Sequence, residues 1–335
     1  MSTPAHDVPL AGLTTLRVGG PAATLIRAGT QAELVEAVLA ADAAGEPLLV
    51  LGGGSNVLVA DAGVTGTVVQ VAARGIDAEV DGCGGAWVRV AAGEPWDDVV
   101  ALAVAEGWSG IEALSGIPGS TGATPIQNVG AYGQEVADVV ARVEALDRTT
   151  GDRVTFAAAD CGFGYRSSRF KAEPGRFVVL AVTLQLRLGD LGAPVAYAEL
   201  ARSLGVDVGG RAPASQVREA VLALRRSKGM VLDPDDHDTW SAGSFFTNPL
   251  LDARAAAALP SQAPRWPAED VRVKTSAAWL IEAAGFGRGF RVRAGAPAAL
   301  SGKHTLALTN RGGARAADLL ELAAVVRAGV AERFG

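Results

Sequence analysis

At 335 residues the chain exceeds one ordinary hydrophobic core, since domains run to about 100–200 residues, so two or three domains are expected. Apolar residues make up 49% and charged residues 20%, the balance of a packed globular protein, which excludes a disordered chain. The formal net charge of −6 gives no case for nucleic acid, whose binding needs a basic face, although a few arginines and backbone N–H groups can still hold a small anion.

Residues 1–10 carry Asp7 and two prolines and have no apolar core, so they do not read as a secretory signal. No run approaches the ~18 consecutive apolar residues of a membrane helix. Cys83 and Cys161 and three scattered histidines make neither a disulfide framework nor a metal site, and both cysteines are expected to be packing residues. The expected address is the cytoplasm.

In chain order, Thr30-Gln31-Ala32-Glu33 forms a capping box, and Leu34, Val35, Val38 and Leu39 give the helix behind it one apolar face. Residues 47–51 are a short buried strand entering Gly52-Gly53-Gly54-Ser55-Asn56. Val57-Leu58-Val59-Ala60-Asp61 reads as another strand. A second helix spans residues 96–106, with Pro95 at its first turn and Gly107 as its stop. Strands at 139–146 and 153–156 flank a turn at Thr150-Gly151-Asp152, and Val182, Leu184, Leu186 and Leu188 alternate with polar residues. Residues 209–213 read as a linker. Helices then follow at about 215–227, 276–284 (stopped by Gly285) and 316–333. The fold class is α+β: an N-terminal α/β region, a strand-rich middle and a mixed C-terminal domain.

Four clusters bear on chemistry. Gly52–Asn56 follows a strand as a phosphate loop does, its glycines allowing an anion-binding nest to which Ser55 and Asn56 can add donors; a glycine-rich turn is the other reading. No helix follows, so it is not a dinucleotide fingerprint of the GxGxxG kind. The loop at 117–133 holds several glycines and two prolines, no charge, and the amides of Gln127 and Asn128, as a loop lying along a flat ligand would. Gly164-Tyr165-Arg166-Ser167-Ser168-Arg169-Phe170-Lys171 sets three cations around aromatic rings, which could equally be a solvated strand end. Gly243-Ser244-Phe245-Phe246-Thr247-Asn248-Pro249 places a hydroxyl between a glycine and two rings, and alone would be a turn.

In combination and in this order, these segments resemble the UDP-N-acetylenolpyruvoylglucosamine reductase (MurB) family, and the likeness runs from Thr14-Thr15-Leu16-Arg17-Val18-Gly19-Gly20 to the last helix. The resemblance implies a bipartite FAD-binding domain of the vanillyl-alcohol-oxidase (PCMH) type, with subdomains at 1–70 and 71–205, plus a C-terminal α+β substrate-binding domain at 206–335. It implies an NADPH-dependent FAD reductase converting UDP-N-acetylglucosamine enolpyruvate to UDP-N-acetylmuramate, for peptidoglycan precursor synthesis. The cofactor residues it implies are Gly52, Gly53, Gly54, Ser55, Asn56, Pro118, Gly119, Ser120, Gly122, Gln127, Asn128, Gly130, Ala131 and Tyr132. Arg166 matches the catalytic arginine, Ser244 the proton donor, Tyr197 a substrate-closing tyrosine, Lys228 a phosphate-contacting lysine and Asn248 a substrate-contacting amide. Lys274, Glu282 and His304 fall in segments of the same resemblance but are read as structural. No histidine lies in the two glycine-rich loops, so the FAD is expected to be non-covalent, with no metal, no membrane and a monomeric chain. The family continues into a strand with a Pro-Glu element carrying a third catalytic residue, and this sequence reaches Gly335 before it. An FAD-linked oxidase of the same cofactor fold, and a catalytically impaired flavin-binding relative, are the alternatives.

Overall fold

The computed structural model describes residues 3–268 and 271–335. It divides into two compact units. The first holds the residues up to Pro9, Pro21–Gly54 and Val64–Arg226; the second holds Leu10–Gly20, Ser55–Gly63 and Ser227–Gly335. Among the described residues no helix is long and apolar enough to cross a membrane, and no group of His, Cys, Asp and Glu is arranged to hold a metal ion.

The first unit begins with a four-stranded sheet built from β1 (Ala5–Pro9), β2 (Pro21–Ala28), β3 (Leu48–Leu51) and β4 (Val64–Val71) in the order β1-β2-β4-β3. β1 runs antiparallel to β2, whereas β4 is parallel to both β2 and β3. Helix α1 (Gln31–Ala43) joins β2 to β3 and starts where the sequence places it. The hydroxyl of Thr30 accepts the Glu33 N–H at 3.1 Å, and Glu33 Oε2 accepts the Thr30 N–H at 3.2 Å, which satisfies donors a helix start otherwise leaves unpaired.

A second, antiparallel sheet follows. Its strands are β5 (Ile76–Asp81) and β6 (Gly85–Ala91), then, after helix α2 (Trp96–Ala105), the short β7 (Trp108–Ser109). A two-residue pair, β8 (Gly130–Ala131) and β9 (Gln134–Glu135), precedes β10 (Val140–Asp147) and β11 (Asp152–Ala157). Helix α3 (Arg169–Ala172) leads into β12 (Phe177–Leu188), and the main order is β11-β10-β12-β6-β5 with β7 also on β12. Leu34, Ala37 and Val38 of α1 pack with Val69 of the first sheet and with Leu146, Val178 and Leu180 of the second. Each buried valine or leucine among them contributes about 1.5–3 kcal/mol, so one core binds both sheets.

Beyond β12 come α4 (Ala198–Leu204) and α5 (Ala214–Ser227), which bury Leu200, Val217 and Val221 with Ala113. The supposed linker at 209–213 is paired chain. Gly209 N–H donates to Val195 O at 2.8 Å, Val195 N–H to Gly210 O at 2.9 Å, and Gly192 N–H to Ala212 O at 2.9 Å. Glu112, fully buried, fastens the facing segment by accepting from Ala193 N–H at 2.6 Å, along with Gly110 N–H and the Gln134 amide. Glycine content alone suggested a flexible stretch, but its backbone groups are satisfied within the unit.

The second unit contains β13 (Leu250–Leu251), α6 (Ala253–Ala258), β14 (Arg265–Pro267), β15 (Val273–Thr275), α7 (Ala277–Ala283), the hairpin β16 (Ala298–Leu300) and β17 (Leu308–Asn310), and α8 (Ala316–Phe334). Leu319, Leu322 and Val326 of α8 pack on Leu300 and Leu308, with Leu16 and Val18 closing the core. Asn310 fixes that closure: its amide donates to the carbonyls of Leu16 and Arg17 at 3.1 Å each and accepts from the N–H groups of Gly312 and Ala314. Removing such a buried partner orphans several groups at about 1–3 kcal/mol apiece. Residues 57–61, expected as a strand, pair in no sheet. Val59 and Leu58 are held by side-chain packing, and the Asp61 carboxylate instead caps α8 through the N–H groups of Ala316 at 2.7 Å and Ala317 at 3.0 Å.

The cysteines differ from expectation in one case. Cys161 is buried, but Cys83 is exposed in the β5–β6 turn, where its N–H donates to Asp81. Burial first, and the nearby Asp160 carboxylate second, push the Cys161 thiol up to about 11, so it stays protonated and unreactive at neutral pH. At pH 8, iodoacetamide should label Cys83 alone in the folded protein and Cys161 only after denaturation. Peptide mass mapping reads the outcome, and rapid labelling of Cys161 in the native state would contradict its burial.

Candidate functional site

The two glycine-rich loops of the first unit meet where no side chain fits. A Cβ on Gly52 would lie 2.5 Å from Ser120 Oγ, and one on Gly53 would lie 2.7 Å from Gly119 Cα. At Gly53 the close approach is backbone to backbone, so glycine is required there, whereas at Gly52 a Cβ would meet only the Ser120 hydroxyl, which can rotate aside. The longer loop is hung on the β6–α2 connection. Gly119 O accepts from Trp96 N–H at 3.0 Å, Thr121 N–H donates to Glu94 O at 2.8 Å, and Gly122 N–H to Ala92 O at 2.9 Å. Gly122 also packs so tightly that its Cβ would sit 2.5 Å from that of Ala92.

Beside the loops opens a cavity of about 380 Å³, lined by β3, the first half of β12, and Gly52, Ser120, Gly122, Ile126 and Lys171. That is within the ~300–1,000 Å³ of ligand and cofactor sites. A smaller gap of about 210 Å³ lies under α1, walled largely by alanine methyl groups and threonines, and brings together no set of ligand-binding donors.

Past Pro118 and Gly119 the loop is held by side chains from farther along. Asn128 is 1% exposed; its amide donates to Glu135 Oε2 and Gly164 O, and its Oδ1 accepts from Ala137 N–H. The Asn128 side chain thus shapes the loop from within. Gln127, by contrast, is half-buried. Arg166 donates from Nη1 to Asn128 O at 3.1 Å and from Nη2 to Gly130 O at 2.6 Å, leaving part of its five-donor fork for other partners. Asn128, Tyr132 and Arg166 all have left-handed backbone, with φ of 47°, 51° and 52°. For tyrosine and arginine this costs about 1–3 kcal/mol each, and such strain gathers at functional sites. Tyr132, next to Ala131, meets the edge of Tyr197, ring centroids 6.2 Å apart. Tyr197 itself is 54% exposed at the start of α4.

Ser55, Asn56, Lys228, Ser244 and Asn248 belong to the second unit. Ser55 and Lys228 are half-buried, and Asn56, Ser244 and Asn248 exposed. Asn248 Oδ1 accepts the Ala277 N–H at 2.9 Å, helping to start α7. Ser244 follows Gly243, whose φ is 74°, and its Oγ stands 3.0 Å from Nε2 of His304. Thr305, the next residue, donates to Glu282. Sequence reasoning set His304 and Glu282 aside; their nearness to Ser244 and to Thr305 spans tens of residues and had no local signal.

Comparisons agree along the whole chain. Residues 22–157 match the model of an FAD binding domain, and residues 233–335 that of the UDP-N-acetylenolpyruvoylglucosamine reductase C-terminal domain. Proteins named UDP-N-acetylenolpyruvoylglucosamine reductase from Cutibacterium acnes and Streptomyces coelicolor are 60% and 54% identical to this chain. Each match covers 98% of it and 87% of the relative. The crystal structure of UDP-N-acetylenolpyruvylglucosamine reductase (MurB) from Thermus caldophilus superposes with a TM-score of 0.67 at 28% identity, over 98% of this chain and 94% of that one. The chain belongs to the UDP-N-acetylenolpyruvoylglucosamine reductase family.

Proposed function

We propose that the protein is an NADPH-dependent FAD enzyme that reduces UDP-N-acetylglucosamine enolpyruvate to UDP-N-acetylmuramate for peptidoglycan precursor synthesis, working as a cytoplasmic monomer. The observation that carries this reading is near-full-length identity to named reductases, 60% over 98% of the chain. What supports the cofactor in the first unit is a glycine loop whose backbone approaches Gly119 too closely for a Cβ at Gly53, beside a cavity of about 380 Å³. Gly52, Gly53, Gly54, Pro118, Gly119, Ser120, Gly122, Gln127, Gly130, Ala131 and Tyr132 would hold it, with Asn128 keeping the loop in shape and Ser55 and Asn56 continuing the first loop. FAD, when bound, supplies the two-electron redox chemistry between NADPH and the substrate. The reading also keeps the division into FAD-binding parts at 1–70 and 71–205 and a substrate-binding part at 206–335.

The protein's share is electrostatics and a proton. An enolpyruvyl alkene accepts hydride at its methylene carbon only if the charge driven into its carboxylate is stabilised and the adjacent carbon is protonated. Arg166 is assigned the first task, because a guanidinium already anchored by two carbonyls presents a fixed, permanent charge. Ser244 is assigned the second: its hydroxyl, 3.0 Å from His304 Nε2, sits on an exposed residue that a substrate can reach. Tyr197 and Lys228 are assigned to the substrate's pyrophosphate, and Asn248 to a polar contact with the substrate.

Three outcomes test the reading. Acid precipitation of the purified yellow protein should release the chromophore into the supernatant, and colour kept in the pellet would mean a covalent flavin. Ser244→Ala should leave NADPH-driven bleaching intact while slowing reoxidation by the enolpyruvyl substrate, as stopped-flow absorbance resolves; equal losses in both half-reactions would remove the serine from proton transfer. Tyr197→Phe keeps the ring edge against Tyr132 and loses one hydroxyl. Substrate binding, measured by titration, should weaken by about 1–2 kcal/mol, and an unchanged affinity would reduce Tyr197 to a packing aromatic.

A further inference from the structure

A serine that gives up its proton must point that proton outward, and one hydrogen bond decides whether Ser244 does. Its Oγ lies 3.0 Å from His304 Nε2. If Nε2 carries a lone pair, the ring takes the hydroxyl hydrogen and turns it inward. If Nε2 carries a hydrogen, the ring donates to Oγ and the O–H is left to point away. Only the second arrangement suits a proton donor.

The framework around His304 fixes the backbone turn that carries the ring. Ser301 Oγ donates to Asp238 Oδ1 at 3.1 Å and accepts the N–H groups of Lys303 and His304. The same carboxylate oxygen accepts from Gly302 N–H at 2.8 Å and from Arg311 at 2.7 Å, and Lys303 pairs with Asp236. From the serine side, Phe245 N–H donates to Leu306 O at 2.8 Å, so both partners are tied to one turn. Burial first, then the charges of Lys228 and Arg288, hold the imidazole below its ordinary value, which keeps it neutral at pH 7 with a single N–H to place.

We propose that His304 is a positioning residue for proton transfer: its Nε2–H donates to Ser244 Oγ, aims the hydroxyl hydrogen away from the ring, and offsets charge building on the oxygen. This rests on Ser244 being the proton donor. The O–H bond of Ser244 breaks as a C–H bond forms on the substrate carbon, and solvent, which reaches the exposed serine, then returns a proton to Oγ. His304 keeps its own proton throughout. One solvent proton and the hydride from NADPH balance each turnover.

The test joins spectroscopy to kinetics. The chain has three histidines, His6, His237 and His304, so ¹⁵N-labelled imidazole signals are assignable with His304→Gln. At pH 7.5 His304 should appear as the neutral Nε2–H tautomer, and its Nε2 shift should move in Ser244→Ala. His304→Ala should slow reoxidation by the enolpyruvyl substrate roughly 10²-fold, as loss of a preorganised donor does, with bleaching by NADPH unchanged. His304→Gln, whose amide N–H can occupy the same place, should recover most of that loss. The His304→Ala, Ser244→Ala double variant should be no slower than Ser244→Ala alone. An Nδ1–H tautomer, a glutamine variant as slow as the alanine one, or additive losses would each overturn the role. If Ser244→Ala slows reoxidation and His304→Ala does not, only the histidine's role falls; if Ser244→Ala has no effect, the assignment of the serine falls first.

Discussion

The approach of the Gly53 backbone to that of Gly119 and Ser120, nearer than a Cβ permits, is the constraint on which the rest of the cofactor region depends. It dictates glycine at position 53, a φ of 119° favours glycine at 119, and each loop arrives on a rigid support. The first is delivered by a parallel strand, β3. The second hangs from the β6–α2 connection by three backbone hydrogen bonds and runs on to Asn128, which is clamped by Glu135, Gly164 and Ala137. Arg166 then binds the outer part of the loop through the carbonyls of Asn128 and Gly130. The guanidinium proposed to face the substrate carboxylate is thus already part of the scaffold, and replacing it would disturb loop shape as well as charge.

Left-handed backbone at Tyr132 and Arg166 shows how that scaffold is stabilised. Each conformation costs about 1–3 kcal/mol in a non-glycine residue, yet each is opposed by interactions of similar size. Tyr132 packs beside the α4–α5 cluster and against Tyr197, and Arg166 makes charge-assisted bonds worth about 1.5–3 kcal/mol apiece. Glycine at either position would relieve the strain but lose those contacts.

What could be read from the sequence was what short-range physics controls. The Thr30 capping box, the Pro95 start and Gly107 stop of α2, and the alternation along β12 each involve neighbours within a turn or a strand. The two glycine-rich loops were also visible, because glycine density is itself a local property. Contacts between residues far apart along the chain had no local signal. The bond from the Asn128 amide to Gly164 is one, and the contact of His304 with Ser244, 60 positions away, is another. Residues 57–61 have the apolar run of a short strand, but their apolar side chains are used in packing and Asp61 in capping a helix more than 250 positions later. The 209–213 stretch has a linker's composition, and only the backbone pairs with 191–195 reveal that it is fixed.

The second unit is assembled from three separated stretches of chain, and that has a consequence for biosynthesis. Leu16 and Val18 are core residues whose clasp, Asn310, follows 294 positions after Leu16. At about 5–20 residues per second a ribosome needs roughly 15–60 s to cover that distance. Throughout that time Leu10–Gly20 and Ser55–Gly63 emerge without the surface they will finally cover. The first unit has all of its chain by Arg226 and can condense while these two segments wait as loops with apolar side chains unburied. A chaperone or protease meeting the nascent chain would find unburied hydrophobic handles in these two segments until the chain around Asn310 is made.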